Sequence, residues 1–485
     1  MLHFLFLCTY NSPEKTGQRY MDILKFGTDG WRAIIARDFT VYNVARVSKA
    51  LADWLKKDHP APKVVIGHDC RFGGELFAET AAGVLCANGV KVAIAKGFVS
   101  TPMVSFGVKE LEAQQGVVIT ASHNPPAYNG YKLKGPHGGP TSPKDIAAVE
   151  ALIPDTADLP DTSMEEWSQQ GLLEYIDLEK MYLDYLHTRF DFARLSNAPY
   201  KLAYDAMYGA GQNVIRKTLP SAVLLHCDYN PSFKGTAPEP IHKNLLELSR
   251  TMATTPELKV GLATDGDADR IGLYDEDGNF VDAHHIILLL IQYLSQYKKL
   301  SGKVVIAFSV TDRVKKMCAQ YGLEVEVTPI GFKYISEKMI GEDVLLGGEE
   351  SGGIAIKGHI PERDGIFDGL VIYEYMMETG KTLKELCEEI YAVVGRFAYE
   401  RNDLHLREEQ KVRIMQEAAD GVYTAFGKYN VTGVETIDGI KYHLGNGGWV
   451  MLRASGTEPV LRIYAEGNSR EEALDILEEV KRRVL

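Results

Sequence analysis

The sequence predicts an α/β protein made of three successive α/β units and a smaller α+β unit at the C-terminal end. Three observations carry that prediction. Short β-branched runs alternate with segments of helical spacing, the pattern of largely parallel sheets covered by helices. The alternation restarts at Lys201 and again at Lys303. From about residue 397 it gives way to a different order of strands and helices, and four units suit a chain of 485 residues.

In chain order, Phe26-Gly-Thr-Asp-Gly-Trp31-Arg32 opens the ordered part as a tight loop, with Arg32 able to reach an anion. The spacing of Val44, Val47, Leu51 and Leu55 predicts a helix over 41–57. A buried strand over 63–67 leads into His68-Asp-Cys-Arg71 on a loop, and a helix over 75–87 and a strand over 90–95 follow. The strand 116–120 then runs into Ser122-His123-Asn124-Pro125-Pro126, where the prolines bar both strand and helix. Ser122 is therefore expected on a stiff loop at a strand's carboxyl end, where open α/β sheets place their sites. Asn129-Gly130 is a hairpin signal that would bring Lys132 close to that loop. Residues 154–170, with their Pro, Asp and Ser, read as a linker before a helix over 177–190.

The second unit has strands at 201–205, 223–225 and 259–263, the last ending at Thr264-Asp265-Gly-Asp267-Ala-Asp269-Arg270. A strand at 271–274 and an apolar helix over 286–298 complete it. The third unit has a strand at 303–307, a helix over 311–321 and a strand at 323–327, then Thr328-Pro-Ile-Gly331-Phe-Lys333. Two glycine-rich loops follow, Gly347–Gly353 and His359–Gly365, before a helix over 368–378. In the last unit, strands at 448–452 and 460–465 flank Arg453–Pro459, and a helix over 470–484 closes the chain.

The formal net charge of −13 argues against a general nucleic-acid or membrane-surface binder, though a locally basic pocket is compatible with it. No stretch approaches the length of a transmembrane helix. The six cysteines, Cys8, Cys70, Cys86, Cys227, Cys318 and Cys387, form no C-x-x-C pair, which suggests reduced thiols in a cytoplasmic protein. Residues 1–20 are expected to be a non-native or disordered extension, with Met21 as the natural start.

Four loops carry chemistry. Asp265, Asp267 and Asp269 alternate with small residues, so three carboxylates repel one another unless a hard cation such as Mg²⁺ or Ca²⁺ neutralises them; the alternative is a solvated acidic turn. Arg453-Ala-Ser455-Gly456-Thr457 offers a guanidinium, two hydroxyls and exposed backbone N–H groups, suited to phosphate, and Arg462 could add a second fork. Glu349 and Ser351, between glycines, can hydrogen-bond sugar hydroxyls. Ser122 with His123 alone is as consistent with a polar turn as with a nucleophile. His359, Arg363 and Lys132 are equally compatible with surface positions.

Taken in order, Thr120-Ala-Ser-His-Asn-Pro125, Asp265-Gly-Asp-Ala-Asp-Arg270, Gly348-Glu-Glu-Ser-Gly-Gly353 and Arg453-Ala-Ser-Gly-Thr-Glu-Pro459 resemble the α-D-phosphohexomutase superfamily, in its phosphoglucomutase/phosphomannomutase branch. The resemblance implies three related α/β domains with mixed sheets and a C-terminal α+β domain of the TATA-binding-protein-like kind, around a central cleft. The expected boundaries are 21–172, 173–297, 298–396 and 397–485. It implies interconversion of hexose 1-phosphate and hexose 6-phosphate through phosphorylated Ser122 and a bisphosphorylated sugar. It further implies Mg²⁺ on Ser122, Asp265, Asp267 and Asp269, with hexose 1,6-bisphosphate as activator.

Within that resemblance, Glu349 and Ser351 read the sugar, and Arg453, Ser455, Gly456, Thr457 and Arg462 hold the phosphate that is not transferred. Lys132 and His359 are alternative proton carriers, and Arg32, Arg270 and Lys333 are electrostatic contacts. Amino-sugar mutases usually carry Gln-Ser-Gly-His where this chain has Glu350-Ser351-Gly352-Gly353, so glucose or mannose phosphate is favoured over glucosamine phosphate. A pentose-phosphate mutase, a serine-dependent metallophosphatase and a non-catalytic sugar-phosphate binder are the competing readings. The expected partner is the hexose phosphate alone, and the expected assembly a monomer or homodimer.

Overall fold

The computed structural model describes residues 24–27, 29–454 and 460–485. Residues 1–20, and Ser455, Gly456 and Thr457 of the expected phosphate loop, lie outside them. The described residues form four sheets in succession. The first runs in the order Trp31–Ile34, Tyr128–Lys134, Gln115–Ile119, Lys63–His68, Lys91–Ala95, Leu173–Ile176. The second runs Phe280–Val281, Ile271–Tyr274, Leu258–Thr264, Lys201–Asp205, Val223–Leu225, and the third Val325–Thr328, Lys303–Ala307, Val344–Gly348, Ile354–Ile356. The fourth sheet has six strands, each paired antiparallel with its neighbours.

The first three sheets share one device. A buried parallel strand ends in a loop and the chain returns antiparallel beside it. Gln115–Ile119 returns as Tyr128–Lys134 around Ser122. Leu258–Thr264 returns as Ile271–Tyr274 around the aspartates. Val344–Gly348 returns as Ile354–Ile356 around Glu349. In the fourth sheet, Trp449–Ala454 and Val460–Gly467 are likewise antiparallel neighbours flanking the fourth loop. The topology thus puts every chemically distinctive loop at an equivalent turn.

Helices bury the sheets because their apolar stripes have nowhere else to go. One continuous core joins the first three domains, from Val104 and Tyr182 through Ile286–Ile291 to Ile366 and Tyr375. A second core lies on the outer face of the first sheet, and a third fills the C-terminal domain. Phe308, Trp449, Met451 and Tyr464 form a separate apolar contact between the third and fourth domains. Two helix starts matter for the site. Ser100 caps the helix Thr101–Glu110 by accepting the Met103 N–H, and Asp364 caps Gly365–Thr379 by accepting that of Phe367. They place Thr101 and Arg363.

Three expectations change. Residues 154–170 are not wholly a linker: Ser163 and Glu166 form a capping box on the short helix Met164–Gln169, which buries Trp167. The next strand, Leu173–Ile176, pairs with Lys91–Ala95, so the first sheet extends past residue 172. Asn129-Gly130 is no hairpin turn but lies inside the central strand Tyr128–Lys134, pairing with Ala33 and Arg32. Glycine is needed there for space: a Cβ on Gly130 would sit 2.4 Å from the Thr120 carbonyl oxygen and 2.8 Å from that of Trp31. Gly130→Ala should therefore lower the unfolding midpoint, at a cost of about 1–3 kcal/mol, in a thermal or urea denaturation series. An unchanged midpoint would contradict this packing.

Candidate active site

The site begins with the turn that carries Ser122. Its φ is 51°, a left-handed conformation that costs a non-glycine residue free energy unless neighbours impose it. Here they do. The Ser122 N–H donates to Thr120 Oγ1 at 2.9 Å, and Thr120 Oγ1 donates to Asp69 Oδ2 at 2.6 Å. Arg71, fully buried, donates to the carbonyl oxygens of Ser122 (2.5 Å), Asn124 (2.7 Å), Pro125 (2.9 Å) and Tyr128 (3.0 Å). Its Nε also reaches Asp69 at 3.2 Å, and Phe233 of the second domain packs against its guanidinium at 4.9 Å. One arginine thus satisfies the carbonyls that two prolines leave without regular partners.

The aspartate loop of the second domain meets this turn. Ser122 Oγ donates to Asp265 Oδ2 at 2.7 Å. Gly266 lies under the Ser122 carbonyl, where a Cβ would come within 2.6 Å of that oxygen, and Ala268 has φ 57°. Asp265, Asp267 and Asp269 are all buried, with ligand oxygens within 4.8 Å of one another. Asp267 Oδ2 accepts from Thr101 Oγ1 at 2.6 Å and from Lys132 Nζ at 2.7 Å, and Asp269 Oδ2 accepts from Lys132 at 3.0 Å. Asp267 Oδ1 and Asp269 Oδ1 are buried with no hydrogen-bond partner among the described residues. Buried carboxylate oxygens without donors are what a hard divalent cation requires, so the set fits a metal.

Two further residues bind the domains together at this point. Asp29 accepts Lys132 at 2.9 Å and Arg363 at 2.7 Å, with Arg32 and Lys134 at 3.8 and 3.9 Å. Arg363, from the third domain, also reaches Asp269 at 2.8 Å and Glu362 at 3.1 Å. Lys134 pairs with Glu362 at 2.5 Å, both fully buried. Asp29, Lys132, Asp269 and Arg363 therefore join three domains in one charge network.

The network sets protonation. Burial and the charges of Asp267 and Asp269 push the Asp265 carboxyl well above its usual range. Burial pushes Asp267 the same way, but Lys132 outweighs it and holds the carboxylate below its ordinary value. Burial alone would lower Lys132; Asp267, Asp269 and Asp29 raise it instead, so it is an ammonium. His123, whose Nδ1 lies 3.4 Å from Ser122 Oγ, is pushed well down by burial and by Arg270 and Arg32, and is neutral. Glu349 is pushed up to about 7, chiefly by burial and the charge of Glu350, against the opposing charges of Arg363 and Arg270.

The structure brings Ser122, Lys132, the three aspartates, Arg32 and Arg270 together. Arg32 Nη1 donates to Asn124 Oδ1 at 2.7 Å, and Arg270 Nη1 lies 3.9 Å from Glu239. Glu349 is buried beside Arg363, while Ser351 is half-buried in the turn. Lys333 lies on the first turn of the helix Phe332–Gly341, with its ammonium 5.2 Å from the Tyr334 ring centre. Arg453 and Arg462 are directly opposed on adjacent strands, with Arg453 paired to Asp438 and Asp403 across from Arg462 on the next strand. His359 is different. Its Nε2 is 2.9 Å from Asp364, its Nδ1 2.9 Å from the Tyr185 hydroxyl, and its ring stacks 4.0 Å from Phe367. With both ring nitrogens engaged in a buried brace, it has none turned to Ser122.

Sequence reasoning passed over Asp29, Arg71, Thr101 and Arg363 as site residues. Asp29 stands in the stretch singled out for Arg32, and Arg71 ends the loop after the second strand. The signal for both was a charged residue in a loop that begins or ends a strand of the first sheet.

The fold and site together define a four-domain α/β protein that carries a serine turn, an aspartate triad and a glutamate loop on equivalent turns of its first three domains. Comparison with known proteins identifies which. Four phosphoglucomutase/phosphomannomutase domain families match in order: alpha/beta/alpha domain I over residues 24–159, domain II over 180–278, domain III over 282–394 and the C-terminal domain over 405–483. The chain belongs to this family, within the α-D-phosphohexomutase superfamily, and is a phosphohexomutase, an isomerase that works by intramolecular phosphoryl transfer.

Among its relatives, the phosphoglucomutase/phosphomannomutase of Thermococcus kodakarensis is 28% identical over 461 residues, covering 93% of this chain and 96% of that one. The phosphoglucosamine mutase of Geobacillus kaustophilus is 30% identical over 458 residues, covering 92% and 95%. The crystal structure of a Thermus thermophilus protein assigned as a phosphomannomutase is 35% identical, with a TM-score of 0.84 over 95% of this chain and 99% of that one. Among the described residues, no helix is long and apolar enough to cross a membrane.

Glu349 gives a pH prediction. Its folded value of about 7 lies above the ordinary value of 4.5, so the native protein holds this proton more tightly than the unfolded chain does. The resulting stability is complete below pH 4.5 and is lost as pH rises through about 7. It amounts to at most on the order of 3 kcal/mol. Melting temperatures from pH 5 to 8.5 should fall less steeply in Glu349→Gln than in the wild type. Equal slopes would remove Glu349 as the titrating group.

Proposed function

We propose that the protein interconverts hexose 1-phosphate and hexose 6-phosphate, with glucose or mannose as the sugar and Ser122 as the phosphoryl carrier. The observation that carries this reading is the contact of Ser122 Oγ with a buried triad of aspartates that retains two unsatisfied carboxylate oxygens. Asp265, Asp267 and Asp269, together with an oxygen of phosphorylated Ser122, would hold Mg²⁺. When bound, that ion would neutralise charge on the transferring phosphoryl group.

In the forward half-reaction the bond from phosphorus to Ser122 Oγ breaks and a bond to the free sugar hydroxyl forms, giving a hexose 1,6-bisphosphate. In balance, the proton of the sugar hydroxyl passes to Ser122 Oγ as the phosphoryl group moves the other way. The bisphosphate turns over in the cleft, and its other phosphate returns to Ser122. The same bisphosphate, added in trace amount, loads Ser122 and so acts as activator. Arg71 and Thr120 hold the serine turn in one geometry through the cycle, so catalysis rests mainly on positioning and electrostatics. Lys132, an ammonium beside the triad, is suited to stabilise charge and to give a proton to Ser122 Oγ. Arg32 and Arg270 add positive charge at the same place. Glu349 and Ser351 bind the sugar hydroxyls, Lys333 lies nearby, and Arg453 and Arg462 hold the distal phosphate with the loop between them.

The choice of sugar rests on the third loop. A Cβ on Gly353 would lie 2.5 Å from Arg363 Cδ, so this position has no room for the histidine usual in amino-sugar mutases. Glucosamine phosphate is the second reading, favoured by the name of the Geobacillus relative. The deciding experiment compares turnover of glucose 1-phosphate, mannose 1-phosphate and glucosamine 1-phosphate, with Mg²⁺ and trace bisphosphate. Glucose or mannose phosphate should be isomerised with little free phosphate, and Ser122→Ala should lose at least ~10³-fold in turnover while staying folded. A preference for glucosamine phosphate would replace the sugar assignment. Stoichiometric release of phosphate would replace the mutase by a phosphatase.

A further inference from the structure

The site described so far is built from the first three domains, and nothing in it explains how the fourth is aligned with them. The turn Thr436–Gly439 of the fourth domain supplies a connection. Asp438 accepts Arg453 Nε at 3.1 Å on Oδ1 and Arg453 Nη2 at 3.3 Å on Oδ2. The same Oδ2 accepts the backbone N–H of Ile330 from the third domain at 2.9 Å. Ile330 lies three residues before Lys333, where the chain enters the helix Phe332–Gly341, and its side chain packs on the Phe308–Trp449–Met451–Tyr464 cluster. The turn is pressed against the base of Arg453, because a Cβ on Gly439 would meet the Leu452 carbonyl oxygen at 2.6 Å and Arg453 Cβ at 3.2 Å. Gly439 itself has φ 90°.

We propose that Asp438 is a positioning residue that fixes Arg453 and locks it to the Lys333 segment of the third domain; this rests on the reading of Arg453 as a phosphate ligand. A guanidinium has two edges that can grip an oxyanion bidentately. Asp438 takes the Nε–Nη2 edge, which leaves the Nη1–Nη2 edge for a phosphate. Because one carboxylate holds both Arg453 and Ile330, Asp438 ties Arg453 to the Lys333 segment directly, beside the more distant contacts of Arg313 with Glu466 and of Lys315 with Glu435 between the same two domains. A bisphosphate that turns over between two fixed ends needs such a tie.

The test is a titration of the full-length protein with inorganic phosphate by calorimetry, alongside hexose phosphate kinetics. Asp438→Ala should weaken phosphate binding and raise KM by about tenfold, with a much smaller change in kcat. Asp438→Asn keeps one acceptor oxygen, which can serve the Ile330 N–H and Arg453 Nη2, but turns a donor to Arg453 Nε, so it should fall between Asp438→Ala and the wild type. Combining Asp438→Ala with Arg453→Ala should cost no more than Arg453→Ala alone. Unchanged phosphate affinity in both single variants overturns the proposal. So do tighter binding, which would make Asp438 a competing anion, and additive losses in the double variant. If Asp438→Ala melts before the assay temperature, Asp438→Asn against the wild type decides in the same way. Absence of hexose phosphate turnover in the wild type would count against the mutase reading, whereas the phosphate titration judges Asp438 independently of it.

Discussion

The structure depends on balancing negative charge that it has taken out of water. Asp265, Asp267 and Asp269 are buried side by side, and Asp29 and Glu362 join them from two other domains. Buried carboxylates are tolerated only when paired. The cations that pair them, Lys132, Lys134 and Arg363, come from domains other than the aspartate loop's own. The charge balance and the domain arrangement are thus one requirement. Removing Arg363 or Asp29 would unbalance a site that spans three domains, next to the aspartate loop that meets the serine turn.

The second organising feature is geometric. Each of the first three domains ends a parallel strand and returns antiparallel at the loop that carries its chemistry. This repetition presents a serine, a carboxylate triad and a buried glutamate from equivalent turns. The turns are held by specific neighbours: the left-handed Ser122 is gripped by Arg71, and Gly266 gives its carbonyl room. In the fourth domain Arg453 and Arg462 face one another on adjacent strands, and Asp438 balances Arg453 from the neighbouring turn.

Much of this was legible in the sequence. The short apolar runs read as strands at Lys201–Asp205, Val223–Leu225 and Lys303–Ala307 are strands with those bounds. The alternation of Asp265, Asp267 and Asp269 with small residues foretold their convergence. What was not legible depends on contacts distant in sequence. Arg71 reads as a loop arginine until four carbonyls, 51 to 57 residues away, converge on it. Asn129-Gly130 has the local chemistry of a turn, yet the glycine is there because two neighbouring strands leave no room for a Cβ. The contact of His359 with Asp364 lies within one loop, but its contact with Tyr185, 174 residues away, could not be read from the local sequence.

The central claim is that Ser122 carries the phosphoryl group between the two ends of a sugar. Mass spectrometry of peptides from protein incubated with Mg²⁺ and a hexose 1,6-bisphosphate tests it most directly. The account predicts one phosphoryl group on Ser122 which, when the bisphosphate carries isotope-labelled phosphates, is replaced by an unlabelled one as excess unlabelled hexose phosphate turns over. A phosphoryl group on another residue, or a labelled one that stays on Ser122 through turnover, would contradict it.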